Sequence, residues 1–320
     1  MEPLFVKPVL KETIWGGTRL AEEFGYKTES DHIGESWAVS GHKNGDCAVY
    51  THGGDSPYEG RTISDLWENE RKLFGNAEGE SFPLLVKFID ARDDLSIQVH
   101  PDDAYAGANE NGSYGKTECW YILDNTGDGK IIIGHNAKDK AELCDMIDNG
   151  RWKELIREVP CRAGDFFQIV PGTVHAIKNG TFLIEIQQSC DVTYRLYDYD
   201  RLQNGKPREL HLAKAKDVIT CPAAPAENET RLVFEDADGN KITELISCKY
   251  YTVRRVEVKT ELNISRKDNP YFDIISIIEG SGFVNDMPVK KGDNLIVPCK
   301  EKCGDVITVS GEIKLMHTTL

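Results

Sequence analysis

Two histidines, a glutamate and a glutamine are the residues of this chain best suited to hold a divalent cation. Gln98 and His100 lie two apart in LSIQVHPD, Glu118 follows in KTECWYIL, and His175 comes after a Pro-Gly turn in GDFFQIVPGTVHAI. Side chains alternate faces along an extended strand, which places Ser96, Gln98 and His100 on one face and Leu95, Ile97 and Val99 on the other. A polar stripe of this kind can also simply face water. The second histidine, set beyond a turn within another apolar segment, argues instead for strands that converge on one site. Two imidazoles, a carboxylate and a carboxamide form an N/O donor set that suits Zn, Fe, Ni or Mn.

The elements that must position these groups are mostly strands. Short β-rich runs cover 82–91, 95–100, 118–123, 130–134, 165–170, 181–188 and 192–199, punctuated by Gly, Asn, Asp and Pro. Two helices interrupt them. Residues 62–74 open with Thr62 and Asp65 as a cap, end at Gly75 and carry an apolar face of Ile63, Leu66, Trp67, Leu73 and Phe74. Residues 137–158 repeat the pattern with Leu143, Met146 and Ile147, then Gly150, then Trp152, Leu155 and Ile156. CPAAPAENET (221–230) has the composition of a linker, and strand-like runs resume beyond it.

With 320 residues the chain has room for two domains. Its 53 acidic against 38 basic residues give a surface that repels phosphate backbones and anionic lipid, so nucleic acid and membranes are not expected partners. No apolar run approaches the roughly 20 residues of a membrane helix, and MEPLFVKPVLKETIWGG lacks the pattern of a signal peptide. Nine cysteines without a CxxC pair are expected as free thiols of a cytoplasmic protein.

The stretch from Gly164 to Asn179 resembles the second signature of the cupin superfamily, small antiparallel β-barrels with a metal at the mouth. Gly164, Gly172, His175 and Asn179 fall on its slots, while Val170 stands in the proline slot with Pro171 next to it. The first cupin signature is imperfect, since Gln98 replaces its first histidine and the gap to Glu118 is long. Together, LSIQVHPDD, GKTECWY, PGTVHAI and QQSCDVTYRLYDYDR, with WGGTRL (15–20) and IGESW (33–37), resemble the type I mannose-6-phosphate isomerases in their short bacterial form, over roughly residues 3–205.

That resemblance implies an all-β fold of two cupin-type jelly-roll barrels with a few peripheral helices. Residues 1–225 would form the catalytic domain and 231–320 a cupin-like domain without a metal site, because Cys303 occupies its histidine slot behind Gly292 and Pro298. It implies one zinc ion on Gln98, His100, Glu118 and His175, with Gln98 alternatively a hydrogen-bonding neighbour of the ligands. Arg195 matches the family's active-site arginine and Lys116 a lysine of its site. Trp15, Glu35 and Glu185 match pocket-lining positions, for substrate contact or for structure. Ser96, on the face of Gln98 and His100, is expected to meet the substrate, with the proton carrier open between Lys116, Glu185 and a zinc-bound water. By alternation Thr193, Arg195 and Tyr197 share a face; without the resemblance, Arg195 would be expected to pair with Asp198 or Asp200. The implied reaction interconverts mannose 6-phosphate and fructose 6-phosphate through an enediolate, in a monomer or weak homo-oligomer. An Fe(II) cupin oxygenase and a non-catalytic sugar-phosphate sensor are the alternatives.

Overall fold

The segment TFLIEIQQ is apolar on both faces near its start and polar on one face near its end, the pattern of a strand between two layers. It forms the strand Thr181–Gln188, buried along its whole length. Phe182, Ile184 and Ile186 point into one core and Leu183 into another. The structure, a computed structural model, describes residues 1–51, 56–226 and 230–320. Its architecture is mostly β.

Thr181–Gln188 lies within a six-stranded antiparallel sheet ordered Phe166–Ile169, Glu118–Asn125, Thr181–Gln188, Leu84–Asp90, Ile33–Ser40 and Val9–Gly17. One face packs on a five-stranded sheet ordered Tyr194–Tyr197, Ile97–Val99, His175–Ala176, Lys130–His135 and Ile156–Pro160. Trp15, Ile89, Trp120 and Leu183 of the first interdigitate there with Ile131 and Ile133 of the second. Val86, Phe88, Tyr121 and Ile184 on the opposite face pack against Val253, Ile274 and Met316 of a ten-stranded sheet. Most of the apolar surface of the six-stranded sheet is thereby removed from water, at roughly 25 cal/mol per Å².

The ten-stranded sheet contains the strands of residues 231–320 but is not made by them alone. Leu4–Lys7 pairs with Asn294–Val297, and Ala48–Tyr50 pairs with Leu4–Lys7. Phe5 enters the core of this sheet beside Leu295, Ile277 and Leu315. Each of the three large sheets runs from one edge strand to another rather than closing on itself, so the described residues show layered open sheets where closed barrels were expected. Within the expected linker, residues 227–229 lie outside the described residues, and Ala226 packs on the core between the six- and five-stranded sheets.

The helix expected at 62–74 forms as Ile63–Asn69 followed by a 3-10 turn Arg71–Phe74. Thr62 accepts a hydrogen bond from the Asp65 backbone, and Gly75 ends the segment at φ 67°, where glycine meets no steric penalty. The second expectation needs correction. Helix covers only Lys140–Asp148 and Trp152–Leu155, and Ile156 starts a strand instead. Leu155 and Ile156 satisfy a helical spacing, but Ile156 is claimed by pairing with His135. Among the described residues no helix is long and apolar enough to cross a membrane.

Candidate metal centre and active-site cavity

The site lies between two rows of side chains, one from each facing sheet. In the six-stranded sheet, strand register puts Trp120, Glu185, Lys87 and Trp37 side by side across four strands. In the five-stranded sheet it puts Arg195, Gln98 and His175 side by side across three. Glu118, at the start of its strand, and His100, just past the end of Ile97–Val99, close the gap between the rows.

His100, Glu118 and His175 are each buried, and one ligand atom from each lies within 4.8 Å of the others. Glu118 Oε1 is 3.4 Å from His175 Nε2, and its Oε2 is 3.6 Å from His100 Nε2. The rings are aimed from behind. His100 Nδ1 is 2.8 Å from the Val192 carbonyl and His175 Nδ1 is 2.9 Å from the Thr173 carbonyl. A carbonyl only accepts, so both protons sit on Nδ1 and both Nε2 lone pairs face Glu118. Burial holds both imidazoles in the neutral form a ligand needs, His175 down to about 4 and His100 well below its ordinary value.

Neither oxygen of Glu118 accepts a hydrogen bond of good geometry, although both are buried. Lys116 Nζ stands 2.7 Å from Oε2 as an ion pair and 3.2 Å from His100 Nε2. A buried carboxylate left this open is costly unless a cation completes it. The donor set therefore fits a divalent cation. Gln98 Nε2 is 3.3 Å from His175 Nε2, which places the carboxamide beside the same cluster with its oxygen and nitrogen interchangeable by a flip.

A chain of alternating charges runs on from this cluster. Lys116 is 3.8 Å from Glu185 Oε1, Lys87 is 3.2 Å from the same oxygen, and Lys87 is 3.8 Å from Glu35. Trp120 Nε1 donates to Glu185 and Trp37 Nε1 to Glu35, at 2.9 and 2.6 Å. Burial pushes the Glu118 carboxyl up, and the charge of Glu185 adds to this. Burial works upward on Glu185 as well, but Lys116 and Lys87 outweigh it and hold that group ionised. Burial alone would lower Lys116; Glu118 and Glu185 reverse this and keep the ammonium charged.

A cavity of about 180 Å³ opens onto these groups, lined by Trp15, Glu35, Ser96, Gln98, Lys116, Glu185 and Arg195 among others. Seven positions singled out in the sequence thus converge on one space. Arg195 donates from Nε to Ser96 Oγ at 3.3 Å and from Nη1 to the Glu209 carbonyl at 2.8 Å. It makes no ion pair with Asp198, which is taken by Arg201 and Arg208. Tyr197 departs from the expected alternation. A register shift between Arg195 and Tyr197 turns the tyrosine away, onto the face of Trp152, with ring centroids 5.1 Å apart. Leu95 also lines the cavity, because it precedes the regular strand. Asn179, on its signature slot, is held by Asp94 at a turn. In the C-terminal half Cys303 Sγ donates to the Met1 carbonyl, and among the described residues no second group of three His, Cys, Asp or Glu could hold a metal.

The sequence reading missed Lys87, Thr13 and Arg208, all of which line the cavity. Lys87 left a signal: it is the lone cation in the apolar run FPLLVKFI. Arg208 left none, since it sits in a polar loop whose course depends on Asp198.

Comparison with known proteins agrees with this geometry. Residues 4–131 match the model of the phosphomannose isomerase type I catalytic domain, and residues 241–320 that of the mannose-6-phosphate isomerase cupin domain. The chain is 48% identical over 302 residues to mannose-6-phosphate isomerase ManA of Bacillus subtilis, covering 93% of each. It is 41% identical to a mannose-6-phosphate isomerase of Streptococcus mutans, covering 93% of this chain and 92% of that one. The crystal structure of the mannose 6-phosphate isomerase from Bacillus subtilis superposes with a TM-score of 0.93 at 42% identity, over 100% of both chains. With these motifs, this fold and relatives matched nearly end to end, the chain belongs to the type I mannose-6-phosphate isomerase family.

Proposed function

We propose that this chain interconverts mannose 6-phosphate and fructose 6-phosphate, with one zinc ion held by Gln98, His100, Glu118 and His175. The observation that carries this reading is the unsatisfied, buried Glu118 carboxylate between two imidazoles whose lone pairs face it. Its family membership supplies the substrate pair. When bound, zinc supplies positive charge that favours an enediolate, without redox chemistry of its own.

The remaining steps belong to the side chains of the cavity. Lys116 is charged and sits between Glu118 and Glu185, so it donates a proton to developing negative charge on substrate oxygen. Glu185 is ionised and anchored by Trp120 and Lys87, so it is preorganised to take the proton from the carbon next to the carbonyl and return it to the neighbouring carbon. Arg195 offers a guanidinium that stays charged, aimed by Ser96 and the Glu209 carbonyl, to clamp a substrate oxyanion. Trp15 and Ile177 give the cavity apolar walls that exclude water. The domain assignment follows: residues 1–225 carry the chemistry, and 231–320 form a cupin-like unit that braces the back of the six-stranded sheet. The free thiols suit a cytoplasmic enzyme.

A coupled assay with mannose 6-phosphate, together with metal analysis of the purified protein, tests the proposal. Turnover that tracks zinc content supports it. Oxygen consumption with bound iron would replace it with an oxygenase, and sugar-phosphate binding without turnover would leave a sensor. Arg195→Ala should lower turnover by orders of magnitude with zinc retained; a near-normal rate refutes the role given to that residue.

A further inference from the structure

The cavity has two kinds of cation. Lys87 and Lys116 are each within 4.0 Å of two carboxylates, so their charge is already matched inside the protein. Arg195 has no ion pair among the described residues, and Arg208 shares its single carboxylate, Asp198, with Arg201. Two arginines on one carboxylate, with a third alongside, leave surplus positive charge at this wall of an otherwise acidic protein.

The arrangement is built rather than incidental. Asp198 is 4% exposed, and Arg208 donates to it through both Nε, at 2.7 Å, and Nη2. Arg201 Nη2 adds a bond at 2.6 Å, while its Nη1 donates to the Asp94 carbonyl. This clamp fixes the base of the small hairpin Leu202–Gln203 and Lys206–Pro207, and it locks the guanidinium plane of Arg208 at the cavity. Arg208 keeps Nη1 and Arg195 keeps Nη2 without a protein partner among the described residues. Guanidinium groups that are charged, partly desolvated and prepositioned are what a phosphate dianion needs.

We propose that Arg208, positioned by the buried Asp198, forms with Arg195 the subsite for the substrate's phosphate, and that Arg208 sets the preference for phosphorylated over neutral sugars. The inference rests on the isomerase reading for its substrate, but the subsite itself can be tested with inorganic phosphate alone.

The test uses full-length, metal-loaded Arg208→Ala and Arg208→Lys. KM and kcat are measured with mannose 6-phosphate, and Ki for inorganic phosphate as a competitive inhibitor; phosphate binding is also measured directly by calorimetry. For Arg208→Ala, KM and phosphate Ki rise together by about 30-fold, equivalent to about 2 kcal/mol, while kcat falls less than about fivefold. Arg208→Lys keeps the charge but loses the fork, and recovers part of both. KM and phosphate affinity within twofold of wild type in a folded Arg208→Ala overturns the proposal, leaving the arginine as a clip for Asp198 only. If Arg208→Ala does not fold, Arg208→Lys decides, with a parallel rise of at least threefold required. A wild type that fails to turn over mannose 6-phosphate yet binds phosphate in an Arg208-dependent manner sinks the isomerase reading and upholds the subsite.

Discussion

In the facing sheets of the N-terminal half, Glu118 is buried between His100 and His175 with neither oxygen hydrogen-bonded; in the ten-stranded sheet, Asp273 is buried between His317 and Arg266 with both oxygens taken. The residue types are similar and the burial is comparable. Arg266 is 1% exposed and also donates to the carbonyls of Pro298 and Gly304, so the C-terminal cluster is closed by an internal cation. The N-terminal cluster has only Lys116, from one side. A buried carboxylate that finds all its partners within the chain contributes to architecture; one that does not is a place where something else must bind.

The first prediction attacks the open cluster. Chelation of the metal, or His175→Ala, takes turnover down by at least about a thousandfold, three factors of ten at about 1.4 kcal/mol each. A coupled assay and metal analysis check this, and the comparison breaks if activity survives loss of the ion. The second attacks the closed cluster. Arg266→Ala leaves Asp273 uncompensated and costs about 3–5 kcal/mol in denaturant unfolding, with kcat of the folded fraction unchanged. A large loss of kcat there would erase the distinction between the two halves.

The third prediction separates them by pH. In the metal-free protein the folded-state value of His175 lies at about 4, below its ordinary 6.5, so the unfolded chain binds more protons between those limits. Stability is complete above about pH 6.5 and falls by about 3 kcal/mol as pH drops through 4, and His100 acts in the same direction. Metal saturation should leave this slope in place at its upper end and carry it on below pH 4, because the ion competes with the proton for Nε2 in the folded state. The smallest effect is remote from both clusters: Thr62→Ala removes the cap of Ile63–Asn69 and costs about 1 kcal/mol without touching KM.

Much of the site was legible because alternation is a local property. Ser96 and Gln98 share the face that strand period gives them, and both line the cavity. Arg195 lines it too, but alternation alone left it to an ion pair with Asp198 or Asp200, and its place came from the family resemblance. The convergence of Glu118 and His175 with His100 was not a matter of spacing; it came from the strings that mark the family. Tyr197 was misplaced because a bulge leaves no composition signature, and Ile156 because a short apolar pair fits helix and strand alike. Arg208 was invisible, since a loop side chain takes its direction from a distant partner. The layered sheets escaped notice for the same reason: nothing within LFVK announces that its partner is Asn294–Val297.

That last pairing has a consequence for how the molecule comes into being. On a ribosome, Leu4–Lys7 emerges long before Asn294–Val297, the strand that completes it. Phe5 must wait in solvent, or in a holding factor, until Ile277, Leu295 and Leu315 arrive to cover it. Nascent chains halted before residue 294 should accordingly be open to proteases at their leading strand, however well the cavity behind it has set.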